Sequence, residues 1–353
     1  MASVIDAAPW FVELQRYKPV MFGASAAMLA LNYWLVVVRP RRCAPGELCH
    51  MDTPFMRFNR RLYWVSVVMF AIALAVTYGS AVAFASGHGP LFGAATPTLG
   101  KGGWQFDQAW MGQMTGAPDT GGQILRSMIS AGLTSKIQLS LSAPIPLSTT
   151  DSVPSGRMMS MMSFNRDVEI LGGWRFQTKP VGEGARFEST VYAGGTFPLT
   201  NRAGGLATAP ASYVALASGY ASRTHYFWAG VSHQEPGTRD GDRLGRVTSA
   251  SVVYGYRPAA WRRDYPKPDL RFFVESVYDS TSSAQHAGAV MPDTGGRVAL
   301  VGPSLLLLYK AYGFEAGALF PFYQRMNGTQ PDERFRFGVN FTYFFWPGGH
   351  GGH

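Results

Sequence analysis

The chain's only thiols are Cys43 and Cys49, which flank Ala44-Pro45-Gly46-Glu47-Leu48. A thiolate pair is a soft-metal ligand. Pro45-Gly46 can turn the chain so that the sulfurs converge, and Arg39, Arg41 and Arg42 favour the deprotonated form. His50 and Met51 follow directly, although a flanking His-Met pair is usually incidental. A second set is ionic: Glu169, Arg175, Glu188, Arg271, Glu275, Glu315, Arg334 and Arg336 occupy polar positions of alternating stretches. On a pore wall such groups can set ion or solute preference. In a narrow barrel they can equally fill the interior as salt bridges. Met158, Met159, Met161 and Met162 offer thioethers to Cu(I) or Ag(I), a composition that more often serves packing. His350 and His353 lie on a glycine string without preorganisation, so the tail reads as a solvated extension. His225 and His233 have serines on neighbouring stretches, but no motif selects a catalytic triad. No Gly-rich phosphate loop, Cys-x-x-Cys knuckle or dinucleotide fingerprint occurs. The expectation is a non-enzyme without a resident cofactor.

Two kinds of element must position these groups. Residues 19–38 and 62–85 are apolar runs without a charged residue. Each is near the length of roughly 20 residues that crosses a hydrocarbon core. The loop between them carries Arg39, Arg41, Arg42, Arg57, Arg60 and Arg61 against Glu47 and Asp52, which places it in the cytoplasm. The second run also reads as an export signal. Arg57, Arg60 and Arg61 form its basic start, and Ala83-Phe84-Ala85 precedes Ser86 as a small-residue cleavage site. A cleaved leader and an uncleaved anchor share these flanks, and both stay open.

From Gly102 the period changes to two. Phe335, Phe337, Val339, Phe341, Tyr343 and Phe345 fall on one face of the last stretch, with Arg334, Arg336, Gly338, Asn340, Thr342 and Phe344 on the other. Twelve such stretches are expected near 103–114, 121–133, 135–145, 164–178, 185–197, 210–222, 224–234, 246–256, 268–279, 296–308, 310–322 and 333–346. Short and long connections mostly alternate, as in outer-membrane barrels, though the one after the eighth is too long for a periplasmic turn. The expected fold class is therefore a membrane protein with two transmembrane α-helices followed by a twelve-stranded antiparallel outer-membrane-type β-barrel. The expected domains are a two-helix section (1–85), a linker (86–102), the barrel (103–347) and a Gly/His tail (348–353). Low charge, 15% of residues, and high aromatic content, 14%, suit such a barrel. The net charge of +9 is dispersed over loops and strand ends, which argues against nucleic acid.

Tyr17-Lys18-Pro19 opening a span, followed by Arg39-Pro40-Arg41-Arg42-Cys43-Ala44-Pro45-Gly46-Glu47-Leu48-Cys49, resembles the bacterial mercuric transport protein family over residues ~15–80. The resemblance implies that Cys43 and Cys49 bind Hg(II) transiently and pass it inward. It also implies a periplasmic metal-binding protein and a cytoplasmic reductase as partners. The family's first helix, with its vicinal cysteines, is missing here. Residues ~89–346 resemble outer-membrane barrels of the family associated with the phenol meta-cleavage pathway, through Gly89-Pro90-Leu91-Phe92-Gly93, Gly102-Gly103-Trp104-Gln105 and the aromatic last strand. That implies a small-molecule channel. The combined expectation is a transport protein of the bacterial cell envelope linked to heavy metals. Its partners would be the lipid bilayer and a small solute or metal ion. Its barrel would lie in the outer membrane, and residues 1–85 would stay in the inner membrane if cleaved. The alternatives are a barrel channel with no metal role, carrying a vestigial or mis-started fragment (Met56 before Arg57-Phe58-Asn59-Arg60-Arg61 would make a start), and a structural surface barrel.

Overall fold

Period-two alternation lets each strand turn one face to lipid and the other to a lumen, and the chain closes such strands into a ring. The computed structural model describes residues 89–116, 121–147, 157–158, 162–262 and 267–346, with helical positions at 26–30, 33, 34, 64 and 67. The chain divides into two compact units, Met1–Ser80 and Ala81–His353. The second is a closed antiparallel barrel of twelve strands. They are β1 (Trp104–Thr115), β2 (Gly122–Gly132), β3 (Ile137–Pro146), β4 (Asp167–Gly182), β5 (Ala185–Pro198) and β6 (Ala211–Ala221). There follow β7 (His225–Pro236), β8 (Val247–Tyr256), β9 (Asp269–Thr281), β10 (Gly296–Tyr309), β11 (Tyr312–Met326) and β12 (Glu333–Phe345). Closure runs from Trp104↔Phe345 to Thr115↔Glu333 between β1 and β12. No edge is left to pair outside the ring, which is what lipid demands of a sheet.

One end carries tight turns, the shortest at Glu183-Gly184 and Lys310-Ala311. The connection over 257–268 lies at this same end, despite its length. The other end carries the long connections, three of which fold back as two-residue β-ladders. Outward positions are apolar: Ile137, Leu139, Leu141, Trp174, Phe227 and Val274 are all exposed. Aromatic clusters mark both borders of this belt. Tyr312–Tyr343 and Trp104–Phe345 lie at the tight-turn end, and Trp110–Phe337 and Phe320–Phe335 toward the other.

The expectation of two membrane-spanning helices ahead of the barrel is corrected. Among the described residues no helix is long and apolar enough to cross a membrane. The greater part of both apolar runs lies outside the described residues.

Candidate functional site: the occupied lumen

The stretch read as a linker lies, from Gly89 to Gly100, inside the lumen. It joins no strand ladder and is held by side chains that project from the wall. The Glu275 carboxylate on β9 accepts the backbone N–H groups of Leu91 (2.9 Å), Phe92 (2.7 Å) and Gly93 (2.6 Å), and also the Ser304 hydroxyl. Ser251 on β8 accepts the Ala94 N–H. On β5, Thr190 and Tyr192 donate to the carbonyls of Thr96 and Ala95, while Glu188 accepts the Thr96 hydroxyl. Trp228 on β7 donates to that same hydroxyl, and Gln138 on β3 accepts the Leu99 N–H. The segment thus crosses the lumen from β9 to β3.

Apolar packing follows the same path. Leu91 and Phe92 are buried with Met111, Met128, Leu300 and Leu319, and Leu99 with Trp228, Phe273 and Phe344. The inner wall is therefore partly apolar where an open porin would be polar. It packs on a segment instead of on water, as a domain core does. Space for the backbone is made by glycine. A Cβ at Gly93 would lie 2.2 Å from Val253 Cγ2, and one at Gly230 would lie 2.3 Å from the Ala94 Cβ.

Ion pairs brace the lumen wall nearer the long-loop end. Arg336 on β12 reaches across to Asp279 on β9 and bonds Glu333 on its own strand, all three buried. A bulge at β1/β12 between Met114 and Thr115 breaks the alternation there. It places Glu333 in the buried position that period two assigns to Arg334, which is exposed. Arg126 on β2 pairs with Glu169 on β4 at 3.5 Å and donates to Ser142 and to the carbonyls of Asn165 and Asp167. Met162 and Phe164, from the connection before β4, are buried in the same core as Leu91 and Phe92. Nearer the tight turns, Arg175 and Arg186 both pair with Glu188, and Arg257 and Arg271 with Asp269. Glu315 on β11 is buried beside Asn340, which donates to it and to Asp107. Of the eight ionic residues selected from the sequence, Glu169, Arg175, Glu188, Arg271, Glu275, Glu315 and Arg336 face the interior, and Arg334 does not. Selection by sequence missed Asp107, Arg126 and Asp279, whose inward parity on β1, β2 and β9 was legible. Nothing local pointed to residues 89–100.

A cavity of about 420 Å³ lies on the long-loop side, lined by Asp167, Arg202, Tyr213, Ser249, Thr294 and Gln330 among others. Asp242 ties the connections around it together. It accepts the N–H groups of Ala207 and Ala287, from two other connections, and meets His286 Nδ1 at 2.8 Å. The N–H of Ala207, then that of Ala287, then His286 hold the Asp242 carboxyl below its ordinary value.

Cys43 and Cys49, the Met159 and Met161 thioethers and the tail histidines lie outside the described residues. Among those described, no group of three or more His, Cys, Asp or Glu is placed to hold a metal. His225 lies on Tyr254 at the outer face, and His233 bonds Thr248 and approaches Glu235.

No protein-family model matches the sequence, and no curated protein matches it either. The resemblance of residues ~15–80 to mercuric transport proteins therefore finds no support in either comparison. Among solved structures the COG4313 outer membrane channel from Pseudomonas putida F1 is similar, with TM-score 0.50 and 11% identity over 70% of this chain and 97% of that one. The KdgM porin (TM-score 0.36, 10% identity, 67% and 98% covered) and OccAB3 of Acinetobacter baumannii (0.34, 9%, 69% and 98%) are more distant. The likeness to the Pseudomonas channel shows the fold, an outer-membrane-type β-barrel.

Proposed function

We propose that the protein is an outer-membrane channel for small solutes, closed in this structure by residues 89–100, with opening by withdrawal of that segment. The carrying observation is how the segment is held. The hydrogen bonds that fix it across the lumen go to side chains of five different strands and not into a strand ladder. It can therefore leave while every barrel ladder stays intact. The cavity above it, about 420 Å³, serves as the outer vestibule. That volume is within the range of roughly 300–1,000 Å³ typical of small-molecule sites. The tight turns support a periplasmic position for that end of the barrel, with the long connections outside. No chemistry is assigned to the lumen: the reading is a conduit, not an enzyme. Conductance in planar bilayers tests it. The full chain should be closed for most of the record, and Gly93→Leu, which puts a side chain into Val253, should conduct persistently. Two silent proteins would sink the channel reading.

Processing near Ala85 belongs to the same proposal, since it would deliver the barrel to the outer membrane. N-terminal sequencing of outer-membrane protein should begin near Ser86, and a full-length species there would refute it. A metal role for Cys43 and Cys49 is a separate proposal carried by the sequence motif. Unchanged mercury sensitivity in a Cys43→Ser/Cys49→Ser strain would remove it.

A further inference from the structure

We propose a lipid-phosphate site on the outer face of the barrel, centred on Arg297 and Arg325, which takes the headgroup of a phosphorylated lipid of the outer leaflet. Five residues stand in one row across five neighbouring strands. His233 on β7 pairs with Thr248 on β8, Thr248 with Ser280 on β9, Ser280 with Arg297 on β10, and Arg297 with Arg325 on β11. Directly opposed residues share a face of the sheet. Asp279 and Val298, next to the row, are buried in the lumen, so the row points outward. A bulge between Ala299 and Leu300 shifts the register and brings Arg325 opposite Arg297.

Two arginines in directly opposed positions repel each other. Both are exposed, and neither makes an ion pair among the described residues. Arg246 borders the same concave depression of about 600 Å³, which these side chains line with the hydroxyls of Thr248 and Ser280. A nearby carboxylate, Glu235, is already shared by His233, Arg243 and Arg246 at 3.4, 3.6 and 3.7 Å. The surplus charge is cationic. A phosphate bridging Arg297 and Arg325 would take planar two-point hydrogen bonds from each and remove their repulsion.

The position selects a lipid over a free ion. One step down the same face, toward the membrane centre, Val231, Tyr278 and Tyr323 are exposed and apolar or aromatic. A phosphate in the depression therefore has an apolar track below it for acyl chains. The row lies at the long-loop end, at the level where the outer leaflet's headgroups meet the apolar belt.

The site is outside the lumen, so it stands or falls independently of conduction. The test uses full-length protein in a phosphate-free non-ionic detergent, titrated with bis-phosphorylated lipid A, with the same lipid after removal of its phosphates, and with inorganic phosphate. The bis-phosphorylated lipid should bind roughly ten- to a hundredfold more tightly than the dephosphorylated one, as the loss of charge-assisted hydrogen bonds requires. R297Q/R325Q should lose the same factor and R297K/R325K should keep most of it. Equal binding of the two lipids overturns the site, as does unchanged binding in the folded glutamine variant. Displacement of the lipid by equimolar inorganic phosphate overturns the lipid assignment. If the glutamine pair fails to fold, the wild-type comparison of the two lipids decides alone.

Discussion

The lumen is closed by one set of contacts and braced by another. Toward the tight turns, residues 89–100 lie across it as a separate segment, attached by hydrogen bonds and apolar contacts to β3, β5, β7, β8 and β9. Toward the long loops, Arg336, Asp279 and Glu333 brace it with ion pairs between side chains that belong to the wall. The first closure can be removed without breaking a strand pair. Undoing the second leaves buried charges without partners, which the barrel cannot tolerate. Movement and stability are thus assigned to different parts of one cavity.

The largest effect should come from the fixed ion pairs. Arg336→Met leaves Asp279 and Glu333 buried without their cation. It should destabilise the barrel by about 3–5 kcal/mol, read from denaturant midpoints, without opening the channel. A gain in conductance with no loss of stability would reverse the assignment. Gly93→Leu should do the opposite. It releases Leu91 and Phe92 from the core they share with the wall. Each forfeits about 1.5–3 kcal/mol of burial, but only for the segment. Protease sensitivity near residues 89–100 should rise while the barrel's unfolding midpoint holds.

Glu275→Gln is a milder version. An amide offers one acceptor oxygen to three N–H groups. Segment release should become easier by about 1–3 kcal/mol and appear as brief openings. Openings no more frequent than in the unaltered protein would mean that Glu275 does not hold the segment.

The smallest effect concerns the outer connections. The Asp242 carboxyl is depressed below 3.8 by its backbone donors, so its stabilisation is present at neutral pH. It is lost only as pH falls through that depressed value, below about 4. Amide exchange at Ala207 and Ala287, corrected for intrinsic rates, should quicken there and in Asp242→Asn at neutral pH. No change in either would leave the connections tied by something else.

The strands were legible because each must satisfy lipid on one face, and that requirement prints a period of two on the residues. Ile170, Trp174 and Phe176 on β4, and Phe314 and Phe320 on β11, show it plainly. The same parity marked Glu169, Glu275 and Glu315 as inward. It failed at Arg334, where a bulge exchanges it for Glu333. A bulge is a property of two paired strands and leaves no local mark. Parity failed again at Gly89–Gly100, whose glycines, prolines and small residues read as a linker. Their partners lie up to 184 positions away in the chain.

The order of residues alone determined that this chain makes a closed antiparallel barrel with an aromatic-bordered apolar exterior, because exposure to lipid constrains every second residue independently of its distant neighbours. Only the tertiary structure decided what fills the barrel. That depends on which far-apart groups meet: one carboxylate on β9 with three N–H groups from before β1, and one arginine on β12 with an aspartate across the lumen. Apolar runs at 19–38 and 62–85 predicted membrane helices by length and composition, criteria that are necessary for a span and do not by themselves make one.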